Sequence, residues 1–265
     1  MEIALSLSLS GAGAHESLLA ETQALLSRFS VQPSMARMAA INRLIGALKA
    51  GGVWQRLDAL YVLAAHDAQA AQRNWVADSY NIVPGGAPVF TADRGYQGDG
   101  NGYLDTGLNP ATSGLNYRED DASFGFWSLT NHASESYDMG AFQSATVRAD
   151  MRIFRPGAWF PAYLNDETFL HLAVSGATGL FSVSRVDGAT RTVRANAGTL
   201  QTAEAGTTGV PNLSFHILGA NGLSGRSQRQ CAAAWIGGGL TEAQYGTLHG
   251  ALRVYLEEVG TVQAE

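Results

Sequence analysis

The chain has 265 residues, room for one large β-domain with an appendage or for two small domains, and its apolar share of 46% is ordinary for a globule. A net charge of −6 argues against a nucleic-acid binder, which would show a basic face, and no stretch reaches the roughly 18–20 apolar residues of a membrane span. The single cysteine, Cys231, excludes an internal disulfide framework and a cysteine-based metal site, and its apolar surroundings predict burial.

Residues 3–10 alternate, with Ile3, Leu5, Leu7 and Leu9 on one side of an extended chain. Such a strand can pair with its own body or with another subunit. Residues 16–29 carry Leu18, Leu19, Leu25, Leu26 and Phe29 at helical spacing, and Pro33 breaks the run. Met38, Ile41, Leu44, Ile45 and Leu48 repeat the pattern up to Gly51-Gly52. Residues 1–50 therefore read as a strand and helical arm for attachment or oligomerisation, or as helices packed on the β-body. If the arm oligomerises, deleting it should leave a monomer.

From Val53 the texture changes. Residues 57–64 suit a buried strand, although their Ala and Leu content also allows a helix, and 66–74 suit a short helical connection. Gly is abundant at 31 residues and has no collagen-like period, so it marks turns. Gly98-Asp99-Gly100 and Asn101-Gly102 are turn chemistry before a short alternating strand at 103–106, which Gly107 and Asn109-Pro110 stop. Further strands are expected at 89–91, 122–129, 146–154, 158–164, 169–175, 180–186, 190–196, 214–219 and 232–236. Short strands with turn signals between them predict an antiparallel β-sandwich or barrel. Asp187-Gly188 is the strongest hairpin signal. The chain ends in a helix: Thr241 caps it, Gln244 completes a capping box, and Gly260 stops it. Its stripe of Tyr245, Leu248, Leu252, Tyr255 and Val259 must lie on something apolar.

Several phrases in order carry a resemblance. They are Gly51-Gly52-Val53-Trp54, Leu57-Asp58-Ala59-Leu60-Tyr61, Asn74-Trp75, Phe90-Thr91-Ala92-Asp93-Arg94-Gly95-Tyr96 and Tyr103-Leu104-Asp105-Thr106-Gly107. Ala162-Tyr163-Leu164-Asn165-Asp166, Gly179-Leu180-Phe181-Ser182-Val183-Ser184-Arg185 and Ala233-Ala234-Trp235-Ile236-Gly237 continue them. Together, over 51–260, they resemble the concanavalin A-like, laminin-G-like jelly roll of tailed-phage and prophage virion structural proteins. The resemblance implies a mainly β, antiparallel jelly-roll sandwich over 51–265 behind the arm. It also implies a virion surface role in a tail fibre, tail tip or head decoration, often glycan-directed, and it supplies no catalytic residues. The expected partners are other virion proteins, further copies of the chain and host-surface polysaccharide, with no membrane insertion. The N-terminus lacks a signal-peptide pattern, which predicts synthesis in the host cytoplasm and a virion surface location reached by assembly.

The chemistry readings are sparser. A glycosidase needs two carboxylates across a cleft. Glu135 and Asp138 would fall on opposite faces of a strand, and Glu119-Asp120-Asp121 reads as a loop. There is no Gly-x-Ser-x-Gly elbow, phosphate loop or His-Glu-x-x-His motif, so no enzyme is expected. No cofactor is expected beyond calcium, whose candidate oxygen donors are Asp99, Asn101 and Asp105, with Asp120 and Asp121; Asp99 and Asn101 equally suit turn chemistry. Sugar sites stack an aromatic face and surround it with polar groups. The candidates are Trp159 and Tyr137 for stacking, with Asn131, Asp138 and Arg185 for hydrogen bonds; Arg191 and Arg194 could join Arg185 against anionic glycan. Trp127 and Trp235 read as core. Host-glycan adhesion leads, a purely structural virion role is the alternative, and a polysaccharide depolymerase is third.

Overall fold

The computed structural model describes residues 17–113 and 115–263; the strand expected at 3–10 lies outside them. Helices α1 (Ala20–Leu26) and α2 (Met35–Ala50) come first. Then come β1 (Leu57–Val62), α3 (Ala68–Ala71), β2 (Val83–Gly85), β3 (Val89–Thr91), β4 (Gly95–Gln97), β5 (Tyr103–Asp105) and α4 (Pro110–Ser113). The middle runs through β6 (Ala122–Ser128), β7 (Met139–Phe142), β8 (Arg148–Met151), β9 (Trp159–Leu164) and β10 (Leu170–Ala173). Last are β11 (Gly179–Arg185), β12 (Thr190–Ala195), β13 (Thr199–Glu204), β14 (His216–Ile217), β15 (Gly219–Asn221), β16 (Gln230–Gly237) and α5 (Glu242–Glu258).

The strands form a jelly-roll sandwich of two sheets. The first runs β13-β12-β11-β6-β16-β4-β3, with β1 also on β16. β1 pairs with the second half of β16 and β4 with its start, along the edge opposite β6. The second runs β10-β9-β8-β7-β14-β5-β2. Pairing is antiparallel except for β15, which lies parallel to β7. Phe124, Phe126 and Phe181 of the first sheet face Phe160 and Phe215 between the layers, with ring contacts at 5.2 Å for Phe124–Phe215 and Phe160–Phe181.

The two sheets differ on their outer sides. Strands β1, β6 and β16 of the first sheet are buried on both faces, because a helical layer covers it. Trp127 of β6 stacks on His249 of α5, with ring centres 5.5 Å apart. Trp235 of β16 lies over Gly125 of β6, where an added Cβ would fall 2.0 Å from the indole. A glycine is the only residue that leaves this ring its place. Helix α5 carries the expected capping box, and Tyr245, Leu248, Leu252 and Tyr255 are buried along its stripe. Helix α2 packs on α5 and shares its core.

The helices at 20–50 are therefore packed on the body rather than held apart. Leu25, Leu26, Phe29, Ile41, Leu44, Ile45 and Leu48 belong to the same continuous core as the strands. Helix α1 has no cap of its own; buried Asn42 of α2 accepts from Leu19 N at 2.8 Å and from the Thr22 hydroxyl at 2.9 Å. The α1 helix starts at Ala20 rather than 16, and α2 starts at Met35, where the Ser34 side chain caps it. The Asp187-Gly188 turn does join β11 to β12, but Gly188 is not what makes it. The Asp187 carboxylate closes the turn, accepting from Ala189 N at 2.9 Å and Thr190 N at 2.7 Å.

Candidate functional site

Among the described residues no helix packs on the outer face of the second sheet, and aromatic and charged groups collect there. Alternation along β9 sends Phe160, Ala162 and Leu164 into the core and Trp159, Pro161 and Tyr163 outward. On β8, Ala149 and Met151 point in, while Arg148 and Asp150 point out with Arg152 just beyond. His171 of β10, His216 of β14, and Tyr103 and Asp105 of β5 share that outer side by register.

At one end the aromatic rings form a continuous strip. Trp159 meets His171 edge-on at 4.4 Å, His171 meets Phe169 at 5.6 Å, and Phe169 meets Tyr163 at 6.0 Å. Trp159 is 44% exposed and Phe169 53%. Two large rings left in water on either side of His171 offer faces on which a sugar can stack.

Guanidinium groups lie on the neighbouring rings. Arg148 sits 3.5 Å from the Tyr163 ring centre and 4.7 Å from that of Phe142. Arg152 covers Tyr137 at 4.7 Å, and Arg226 covers Tyr103 at 3.9 Å. Arg148 grips Asp150 through two hydrogen bonds of 2.6 and 2.8 Å. Burial pushes the Asp150 carboxyl up, against the pull of that arginine. Between Asp150 and His216 in the same cross-strand row stands Gly140, at φ +147°, where a Cβ would fall 2.3 Å from the Ala149 carbonyl oxygen. The neighbouring strand packs closely there, with the Asp150 Cβ only 2.6 Å from where that Cβ would stand.

His216 is stacked on Tyr103 at 4.3 Å, lies 3.4 Å from an Arg226 nitrogen, and faces Asp105 at 3.8 Å. Burial, the largest cause, drives the imidazole down to about 4; Asp105 opposes the shift and Arg226 adds to it. The unfolded chain takes up a proton near its ordinary pKa of about 6.5, and the folded chain does not until about 4. The stability that depends on neutral His216 is therefore complete above pH 6.5 and drains away as pH falls toward 4. A shift of this size is worth on the order of 3 kcal/mol. A His216→Gln variant is expected to lose that fall in melting temperature, and an NMR titration should show His216 still neutral at pH 5.5. A midpoint near 6.5 for His216 would contradict the stacked, buried geometry.

The structure sorts the sequence candidates. Trp159 and Tyr137 both reach the outer face of the second sheet. Asn131 is exposed on a loop but spends its carbonyl on Ala177 N at 2.9 Å. Asp138 is interior: it accepts from Ile153 N at 2.7 Å, the Ser227 hydroxyl at 2.6 Å and Arg229 Nε at 3.0 Å. Arg185 is interior too, bonded to Asp166 at 3.0 Å, and Arg191 closes on the same carboxylate. Asp138 and Arg185 are held inside the protein and do not meet solvent.

The calcium donors are dispersed. Asp99 accepts from the backbone of Asn101 and Gly102, Asp105 from Gly107 N at 2.9 Å, Asp120 from Thr207, and Asp121 from Gly239 N. Among the described residues no three His, Cys, Asp or Glu side chains are grouped to hold a metal ion. Trp127 and Trp235 are core, and Cys231 is buried with its thiol pushed up by burial. A cavity of about 480 Å³ opens between α5 and the first sheet, beside Trp127, His249, Arg94 and Asn196. Its indole is 4% exposed and already stacked on His249, so it offers no free aromatic face.

Sequence reasoning missed Tyr103, Arg148, Asp150, Tyr163, Phe169, His216 and Arg226. The signal was present in part: Arg148, Asp150 and Arg152 alternate with Ala149 and Met151 inside a stretch already read as a strand.

No protein-family model matches the chain, and no curated protein matches it. Solved structures match in fold. Domain 4 of AbnA, a GH43 extracellular arabinanase from Geobacillus stearothermophilus solved with arabinotriose, is 12% identical with a TM-score of 0.54, over 73% of this chain and 98% of that one. Trypanosoma rangeli sialidase is 10% identical with a TM-score of 0.50, over 87% of this chain and 40% of that one. The chain thus spans well under half of the sialidase's length, and at these identities what is shared is the β-sandwich.

Proposed function

We propose that the chain is a non-enzymatic, lectin-like protein that binds cell-surface glycan along the outer face of its second sheet. The observation that carries the proposal is the strip Trp159–His171–Phe169–Tyr163, exposed at Trp159 and Phe169, on a sheet face that no described helix covers. Aromatic faces flanked by hydrogen-bonding side chains suit the apolar and polar sides of a sugar ring. The arabinanase domain of like fold was solved with arabinotriose, and a second neighbour is a sialidase, which agrees with a saccharide as ligand. The acids on or beside this face have other duties: Asp150 holds Arg148, Glu135 holds Arg155 at 2.6 Å, and Asp105 caps Gly107. That favours binding over hydrolysis, which uses a free pair of carboxylates.

The proposal extends to location. The ordered phrases over 51–260 resemble the jelly rolls of tailed-phage virion proteins, and we place the chain on a virion surface, in a tail fibre, tail tip or head decoration. Host polysaccharide and other virion proteins are then its partners.

A glycan array on the purified protein tests the binding. Reproducible hits are expected, lost at least tenfold in Trp159→Ala and Phe169→Ala while the melting temperature stays within a few degrees. An array empty for the parent protein sinks the adhesion reading and leaves a role confined to subunit packing. Shortening of a bound polysaccharide during long incubation overturns the non-enzymatic part.

A further inference from the structure

Four guanidinium groups stand on or beside the outer face of the second sheet: Arg148, Arg152, Arg155 and Arg226. Three carboxylates stand with them: Asp105, Glu135 and Asp150. Arg148 and Asp150 satisfy each other through two hydrogen bonds. Arg152 and Arg155 share Glu135, at 3.5 and 2.6 Å. Among the described residues Arg226 has no carboxylate within ion-pair distance, and Asp105 is turned to Gly107 N. Arg226 is thus the guanidinium of this set that no carboxylate neutralises among the described residues, on a chain whose net charge is −6.

The arginines are also held in one manner. Arg148, Arg152 and Arg226 each lie over a tyrosine ring, Tyr163, Tyr137 and Tyr103. A stacked guanidinium uses its flat side on the ring and keeps its N–H edge for a planar anion, and it loses little freedom when the anion arrives. The Arg226 and Arg148 stacks sit on β5 and β9. Four strand spacings separate these strands, about 19 Å at the usual 4.8 Å per strand. The cations are thus spaced along a track, not gathered into a pocket.

We infer that the glycan this face takes is acidic, a polysaccharide carrying carboxylate groups along its length, with Arg226 and Arg152 as the carboxylate-reading residues and the Trp159–Phe169 strip as the ring platform. The inference rests on the glycan-binding reading above. Its chemistry is that of the uronic or nonulosonic acids: a sugar ring to stack and a carboxylate for the guanidinium edge. Opposite charges also make the binding sensitive to salt.

The test uses the full chain and matched pairs of polymers, polygalacturonate, hyaluronate and polysialate, each against its carboxyl-reduced form, by calorimetry at 50 and 300 mM NaCl. At least one acidic form is expected to bind tenfold or more tightly than its reduced partner and to weaken several-fold at the higher salt. Arg226→Gln and Arg152→Gln should each cut that preference about tenfold and leave binding of the reduced form unchanged. Trp159→Ala should weaken both forms. Equal binding of acidic and reduced forms, or array hits confined to neutral glycans, overturns the acidic assignment and leaves the glycan reading standing. No binding to any of these polymers together with an empty array removes both.

Discussion

Replacing Asp166 by alanine is expected to cost about 3–5 kcal/mol, a third or more of the stability of an ordinary domain. The carboxylate lies within the protein beside two buried guanidinium groups, Arg185 and Arg191. Arg185 reaches it through Nη2 and Arg191 through Nη1, while Arg185 Nε and Nη1 and Arg191 Nε have no hydrogen-bond partner among the described residues. Removing the one acid strands two charges where water does not reach. Burial already drives the Asp166 carboxyl up to about 6, in spite of both arginines, so the triad costs more to desolvate than a surface pair would. At pH 7 it remains ionised. A triple change, Asp166→Leu with Arg185→Met and Arg191→Met, is therefore expected to recover most of the loss. Denaturant midpoints of the two variants measure this. An Asp166→Ala protein within 1 kcal/mol of the parent would show that the two guanidiniums find other partners.

Deleting residues 1–50 is expected to give an aggregating or molten chain, not a trimmed and soluble one. The deletion removes Leu25, Leu26, Phe29, Ile41, Leu44, Ile45 and Leu48 from the common core. At about 1.5–3 kcal/mol per buried side chain these contribute on the order of 10–20 kcal/mol before the entropy of ordering the helices is subtracted. Their loss also bares the side of α5 that α2 covers. Arg37, bonded to Tyr255 at 3.2 Å, and Arg28, bonded to the carbonyls of Asn74 and Ala77 at 2.8 Å, leave with them. Dye binding, near-ultraviolet circular dichroism and solution mass would read the result. A monomeric truncated chain with a sharp unfolding transition would make this segment an independent arm.

The readable parts of the fold were those governed by local rules. The capping box at Thr241 and Gln244, the stripe on α5 and the alternation of β9 need only neighbouring residues to be recognised. Strands β2, β4, β7, β13 and β15 were not seen. Several are three residues long, β2 holds Pro84 and β7 holds Gly140, and β2, β4 and β15 pair with strands far along the chain. The site divided in the same way. Trp159 follows Arg155-Pro156-Gly157 and reads as an exposed loop ring; it is exposed, but it opens strand β9 rather than standing in the loop. Asp138 and Arg185 looked equally available, but their fate was set by Arg229 and Asp166, 91 and 19 residues away. Nor could spacing reveal that Tyr103 and Tyr163 share a face, since that depends on the register of five strands.

The placement of the helical layer has a directional consequence. Leu18 and Val262, near the two ends of the described chain, both pack into the core on the helical side, where Leu19 N meets Asn42 of α2 and Val262 N meets the Leu256 carbonyl of α5. The aromatic strip lies on the opposite sheet. A copy held against a support by its helical layer turns the aromatic strip outward, so a crowded layer of such copies shows one uniform aromatic exterior.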